Sequence, residues 1–149
     1  MPIADRIVIK DGVVFRDPTG ANTAYGGVIS SAVIKLAKKD LDGSAWTDKA
    51  DRHLKGTGNH SVTWTFRPSA SMSTHVQTLM NDFAVDATVT WEVRFKSSAA
   101  APDNLRYRFD VLVVEVPMGG NRGDVLDINV TWPIDGQVSV FDGTTTTLL

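Results

Sequence analysis

Three histidines, His53, His60 and His75, are the side chains of this chain best suited to moving a proton near neutral pH. None stands in an HExxH or HxH arrangement. His53 and His60 lie seven residues apart in a polar stretch, a spacing that could offer a metal two ligands but reads instead as that of incidental, solvent-exposed histidines. A Ser/His/Asp triad is recognised by geometry rather than order, and no GxSxG elbow marks a nucleophile. Neither GxGxxG nor GxxxxGK[ST] is present, so "GTGNH" at 56–60 reads as a flexible turn and not a phosphate loop. "DLDGS" at 40–44 opens like a calcium loop but lacks the later acidic positions and the closing glutamate. There are no cysteines, which excludes disulfides, thiolate nucleophiles and cysteine-based metal sites. These residues assign no catalytic group, no cofactor and no metal, and an enzyme is not expected.

Two short motifs concern surfaces instead. Asn59-His60-Ser61 and Asn129-Val130-Thr131 have the form of glycosylation sequons, which matter only in a secreted protein. Arg122-Gly123-Asp124 is an adhesion signal in some extracellular animal proteins, or simply the corner between two strands. "MPIADRIVIK" carries Asp5, Arg6 and Lys10 and no signal-like apolar run. Nothing approaches the roughly 18 consecutive apolar residues of a membrane helix. The expectation is a chain made and folded in the cytoplasm, with no membrane partner. Gly119-Gly120-Asn121 then make a turn, and Asp124 precedes the next strand.

The elements that must hold these residues follow from pattern. The chain has 149 residues, 42% hydrophobic and 21% charged, with a formal net charge of -2: enough for one cored domain over 1–149, and no global attraction to nucleic acid. Period-two alternation dominates, the mark of half-buried strands. "ATVTWEVRFK" puts Ala87, Val89, Trp91, Val93 and Phe95 on one face; "SVTWTFR" does so with Val62, Trp64 and Phe66; "VLDINVTWPI" with Leu126, Ile128, Val130, Trp132 and Ile134. "LRYRFDVLVVEV" alternates from Leu105 and becomes apolar on both faces at 112–114, which predicts cover on both sides. Asp-Gly pairs at 11–12 and 135–136 lie between apolar runs and predict hairpins, with an edge or bulge beside Pro133.

One segment has helical spacing. Met72, Val76, Leu79, Met80 and Phe83 predict a short helix over about 73–83, capped by Ser71 or Ser73, its stripe lying on a sheet. Residues 37–60 lack sustained periodicity and predict a long loop or projecting arm, with Asp40, Asp42, Trp46, Lys49, Arg52 and His53 as its candidate contact residues. "DGTTTTLL" at 142–149 predicts a flexible tail. The sum is a mainly β fold of about seven to nine antiparallel strands, a β-sandwich or barrel with one short flanking α-helix. On the polar strand faces Arg94, Lys96, Arg106 and Arg108 meet Glu92, Asp110 and Asp127. Such mixed signs suit a solvated face or a charge-paired subunit contact better than a phosphate groove. Trp64, Trp91 and Trp132 read as core, leaving Trp46 as the exposed aromatic anchor.

The last third resembles the major tail, or tail tube, proteins of long-tailed bacteriophages. The resemblance is carried by the proline-containing loop and aromatic strand of Pro102 to Phe109, the glycine turn and "GDV" of Gly119 to Val125, and the "V-x-V" of Val138 to Val140 before a Thr-rich end. It covers about residues 85–149; the first half agrees in layout only. The same fold is expected of contractile-tail and type VI secretion inner tubes. The resemblance implies a β-sandwich or barrel with a flanking helix and a homo-oligomer of rings, usually hexameric, stacked into the virion's tail tube. It implies tape-measure, terminator and tail-tip proteins as partners, and viral DNA passing through the lumen without specific binding. It also implies a minimal subunit without an added immunoglobulin-like domain. Glu92, Arg94, Lys96, Arg106, Arg108, Asp110 and Asp127 would then face the lumen or a neighbouring subunit. Other readings of the same pattern are a tail terminator, a capsid decoration protein, or a ligand- or carbohydrate-binding β-sandwich.

Overall fold

The computed structural model describes residues 12–20, 23–25, 29–45, 50, 52–67, 73–96, 98–119, 121–123 and 127–149. Among these residues ten strands and one helix run in the order β1 (Val13–Arg16), β2 (Thr23–Ala24), β3 (Ile29–Lys35), β4 (Lys38–Asp42), β5 (His53–Gly58), β6 (Ser61–Phe66), α1 (Ser73–Ala84), β7 (Val89–Arg94), β8 (Arg106–Val111), β9 (Ile128–Phe141) and β10 (Thr146–Leu148). Eight of the strands form one curled antiparallel sheet, ordered β2-β1-β7-β8-β9-β6-β3 with β10 also on β9; β4 and β5 pair only with each other. The fold is mainly β, a half-barrel with one short helix, as the alternation predicts.

Alternation sets the core. Val62, Trp64, Phe66, Trp91, Val93, Ile128, Val130, Trp132 and Ile134 all point inward and are buried. Trp64, Trp91 and Trp132 are fully buried beside Tyr25, with ring centroids 5.3 Å apart for Trp64–Trp91 and 5.0 Å for Tyr25–Trp91. Aromatic pairs at such distances add to the burial of their area. Trp132 also donates its indole N–H to the Glu115 carbonyl at 2.8 Å.

The structure departs from the pattern in five places. Asp135-Gly136 does not reverse the chain: β9 runs on through it for 14 residues. Its first half pairs with β6 (Val62↔Trp132) and its second with β8 (Tyr107↔Val140). The pairing with β8 shifts register between Arg108 and Asp110, opposite Ser139 and Asp135, and Gly136 sits there at φ 82°. The pair therefore makes a bulged corner, not a hairpin, and the irregularity expected beside Pro133 lies there. The other predicted Asp-Gly hairpin, at 11–12, lies outside the described residues apart from Gly12.

Residues 37–60 are no bare loop, because β4 and β5 form a hairpin there; glycines and charges hid its short alternation. The tail at 142–149 is turned by Asp142, whose Oδ1 accepts the amides of Thr144 and Thr145 at 2.9 and 2.7 Å, and it returns as β10 along β9. β8 stops at Val111, and Leu112 and Val114 are 38% and 48% exposed, so this end lacks the expected cover on both faces within one chain. Helix α1 buries Leu79 and Asp82 but leaves Met80 and Phe83 outward, because Arg16 recruits the polar Asp82 into the inward stripe.

Candidate functional site

Strands β7 and β8 lie side by side with Glu92 opposite Arg108 and Arg94 opposite Arg106. The inward row of these strands belongs to the core, so the outward row gathers the charged residues. Glu92 is only 2% exposed although it faces out, because three arginines cover it. Arg94 Nε donates to Oε1 at 3.1 Å and Arg108 Nη2 to Oε2 at 2.8 Å, while Arg106 Nε makes an ion pair with Oε1 at 2.9 Å at an angle too poor for a hydrogen bond. Burial alone would raise the Glu92 pKa. The hydrogen bond from Arg108 and the charges of Arg106 and Arg108 outweigh it, and the net shift is downward. Arg94 lies over the Phe15 ring at 5.9 Å and Arg106 over Phe141 at 5.4 Å, so two aromatic rings flank the cluster.

Of the seven residues expected on this face, Glu92, Arg94, Arg106 and Arg108 are brought together. Asp110 stands two residues further along β8 and accepts a hydrogen bond from Thr90 at 2.6 Å. Lys96 turns to Asp103 at 3.2 Å. Asp127 belongs elsewhere: it pairs with Arg67 at 2.9 Å on the flank of β6 and β9, whose outward face is a neutral ladder of Thr63–Thr131 (2.9 Å) and Thr65–Asn129 (2.8 Å). The long β9 explains the split, since its two halves serve differently directed parts of the sheet.

The hairpin of β4 and β5 carries most of the predicted arm. Asp40, Asp42 and His53 sit on its strands, Arg52 immediately before β5, and Asp40 lies 2.9 Å from His53 Nδ1. Its other face holds Leu41 opposite Leu54, 48% and 57% exposed. These leucines lie flat over glycines: a Cβ on Gly43 would meet Leu54 at 2.8 Å, and one on Gly56 would meet Leu41 at 3.2 Å. A two-stranded hairpin with no core behind it is marginal in water, and exposed leucines make it a surface seeking cover. Trp46 and Lys49 fall outside the described residues, as does Asp124 of the Arg122-Gly123-Asp124 triplet; Arg122 and Gly123 lie in a turn.

His60 joins the hairpin to the body. It is 5% exposed, its Nδ1 accepts the Ala37 amide at 3.1 Å, and its Nε2 lies 3.2 Å from the Leu149 carbonyl. It is therefore neither exposed nor incidental. An inward place was readable from its phase with Val62, Trp64 and Phe66. The same alternation places Arg16 in phase with the buried Val14. An open groove of about 870 Å³ runs along the hairpin base, lined by Leu36, Lys38, Lys55, His60, Gln137 and Leu149 among others. His53 and His60 do not converge on a metal site, and no group of three potential metal ligands occurs among the described residues. Nor is any helix among them long and apolar enough to cross a membrane.

No family model matches the chain, and no curated protein matches it. Solved structures do. A chain of the SPP1 tail tube superposes with a TM-score of 0.69 at 7% identity, over 88% of this chain and 77% of that one. A chain of the native gene transfer agent virion gives 0.64 at 10% identity, over 88% and 95%. A chain of the six-fold symmetrised baseplate of the anti-feeding prophage gives 0.57 at 13% identity, over 96% and 100%. At such identities the likeness is one of fold: this chain has a phage tail tube-like fold, mainly β with one short helix.

Proposed function

We propose that this chain is a structural protein of a phage-type tail, a subunit that self-assembles into six-membered rings stacked as a tube for genome delivery. The observation that carries the reading is the fold likeness to tail chains over most of the molecule, reinforced by the six-fold symmetry named for the gene transfer agent tail. The role is non-enzymatic, and residues 1–149 act as one tube domain within the virion, beside tape-measure, terminator and tail-tip proteins. Several surfaces suit it. Among the described residues the outer edges of β2 and β3 have no strand partner, and a neighbour could extend them. The β4–β5 hairpin, with Leu41 and Leu54 outward, is suited to contact with the next ring. Among the described residues, every outward-facing arginine of β7 and β8 touches Glu92, which suits a lumen or contact face that does not hold the duplex tightly.

Purified protein at rising concentration tests the proposal by sedimentation and negative-stain microscopy. Stacked rings are expected, and a strict monomer at every concentration would refute it. Leu41→Ser/Leu54→Ser should leave the fold intact and block stacking; long tubes from that variant would remove the hairpin from the inter-ring contact. The likeness to a baseplate chain keeps a second reading, a terminal or baseplate ring protein, which predicts single rings that never stack.

A further inference from the structure

The arginine cluster holds more positive charge than its own strands answer. Three guanidinium groups touch one carboxylate, yet the side chains of Arg106 and Arg108 remain 29% and 38% exposed. Beside them a cleft of about 200 Å³ opens between Arg106, Arg108, Ser139, Phe141 and Thr146. A guanidinium carries five N–H donors, so a half-exposed arginine with one carboxylate partner can take a second. Arg106 and Arg108 stand two residues apart on one strand face, so their stems are spaced by roughly 6.5–7 Å. In the whole sequence Asp40 and Asp42 are the one pair of acidic residues two positions apart, and they lie, Asp40 opposite Lys55, on one strand of the hairpin whose strands pair only with each other among the described residues. Each spends part of its capacity, Asp40 on His53 and Asp42 on the Ser44 amide at 2.9 Å, and a carboxylate accepts about four hydrogen bonds.

We infer that the Arg106/Arg108 face of one copy receives the Asp40/Asp42 row of a second copy's hairpin. The two surfaces differ, so the contact is head-to-tail and propagates instead of closing a two-fold dimer. It rests on the self-assembly reading and names the residues that would join the copies.

Two variants test it by sedimentation velocity: Asp40→Lys/Asp42→Lys and Arg106→Glu/Arg108→Glu. Each alone should need about tenfold or more protein to assemble. Mixed one to one they should assemble again, because every contact then joins either two native surfaces or two reversed ones. If circular dichroism shows the glutamate variant unfolded, Arg106→Gln/Arg108→Gln replaces it, and equal weakening on both sides is the expected result. Hairpin variants that assemble like the wild type overturn the contact and leave the tube reading standing; a monomeric wild type overturns both. A labelled 20-base-pair DNA duplex serves as a further probe. Tight binding lost in the arginine variants and kept in the aspartate variants would assign the face to phosphate and overturn the inference.

Discussion

Arg16 of β1 and Asp82 of α1 meet end to end, Nε to Oδ2 at 2.7 Å and Nη2 to Oδ1 at 2.5 Å, with side chains only 16% and 7% exposed. With Leu79 and the hydrogen bond from the Tyr25 hydroxyl to the His75 carbonyl (3.1 Å), this fork helps moor the helix to the sheet. Removing one partner strands a buried charge, so Asp82→Ala should lower stability by about 3 kcal/mol. Arg16→Met/Asp82→Leu should recover most of that. Urea midpoints of the three proteins decide it, and a double variant as unstable as the single one would show that packing of the helix, not the charge, was lost.

Two buried groups, Glu92 and Tyr25, should each contribute to one limb of the stability curve. Glu92 is held below its ordinary pKa, so its contribution is present above the unfolded value of about 4.5 and is lost as pH falls through the folded one. Glu92→Gln should be less stable at pH 7 by about 2–3 kcal/mol, with a flatter acid limb. Burial pushes Tyr25 up to about 12 from 10.0, so its contribution is present below pH 10.0 and is lost as pH rises through about 12. Tyr25→Phe should flatten the alkaline limb. Thermal midpoints across pH check both, and unchanged limbs would mean that other groups carry them.

Gly136 and Gly143 both have positive φ, 82° and 97°, yet they should not respond alike. Nothing lies within 4 Å of a Cβ added at Gly136, so Gly136→Ala meets only backbone strain of about 1 kcal/mol. At Gly143 the same atom would strike the Ala100 carbonyl oxygen at 2.5 Å, and the turn into β10 must shift. Gly143→Ala is therefore expected to be the more destabilised of the two in thermal denaturation; the reverse order would place the strain at the β9 corner.

Strand faces were legible in the sequence because a period of two is written into side-chain type, and Trp64, Trp91 and Trp132 stand where alternation puts them. Direction was not. Asp135-Gly136 and Asp142-Gly143 look the same in sequence, yet the first bends a strand and the second reverses it. Only the neighbours, β8 and β6 against β10, decide between them. The charge cluster was legible as a set of outward residues, and its centre was not. That Glu92 is the shared acceptor, and that Asp127 stands apart with Arg67, depends on strand order, which no local pattern encodes. His60 and Asp82 show the complementary limit: each is a polar residue in an apolar phase, and its partner, at Leu149 or Arg16, is far away in sequence.

Because β9 is a stave common to both halves of the sheet, those halves cannot slide past each other along the strand without stretching one covalent backbone. The freedom left to them is a change of angle at the Gly136 corner, where the ladder with β8 is already interrupted. In the proposed tube, a change of curvature would fall on that corner, with the hydrogen-bonded ladders on either side kept intact.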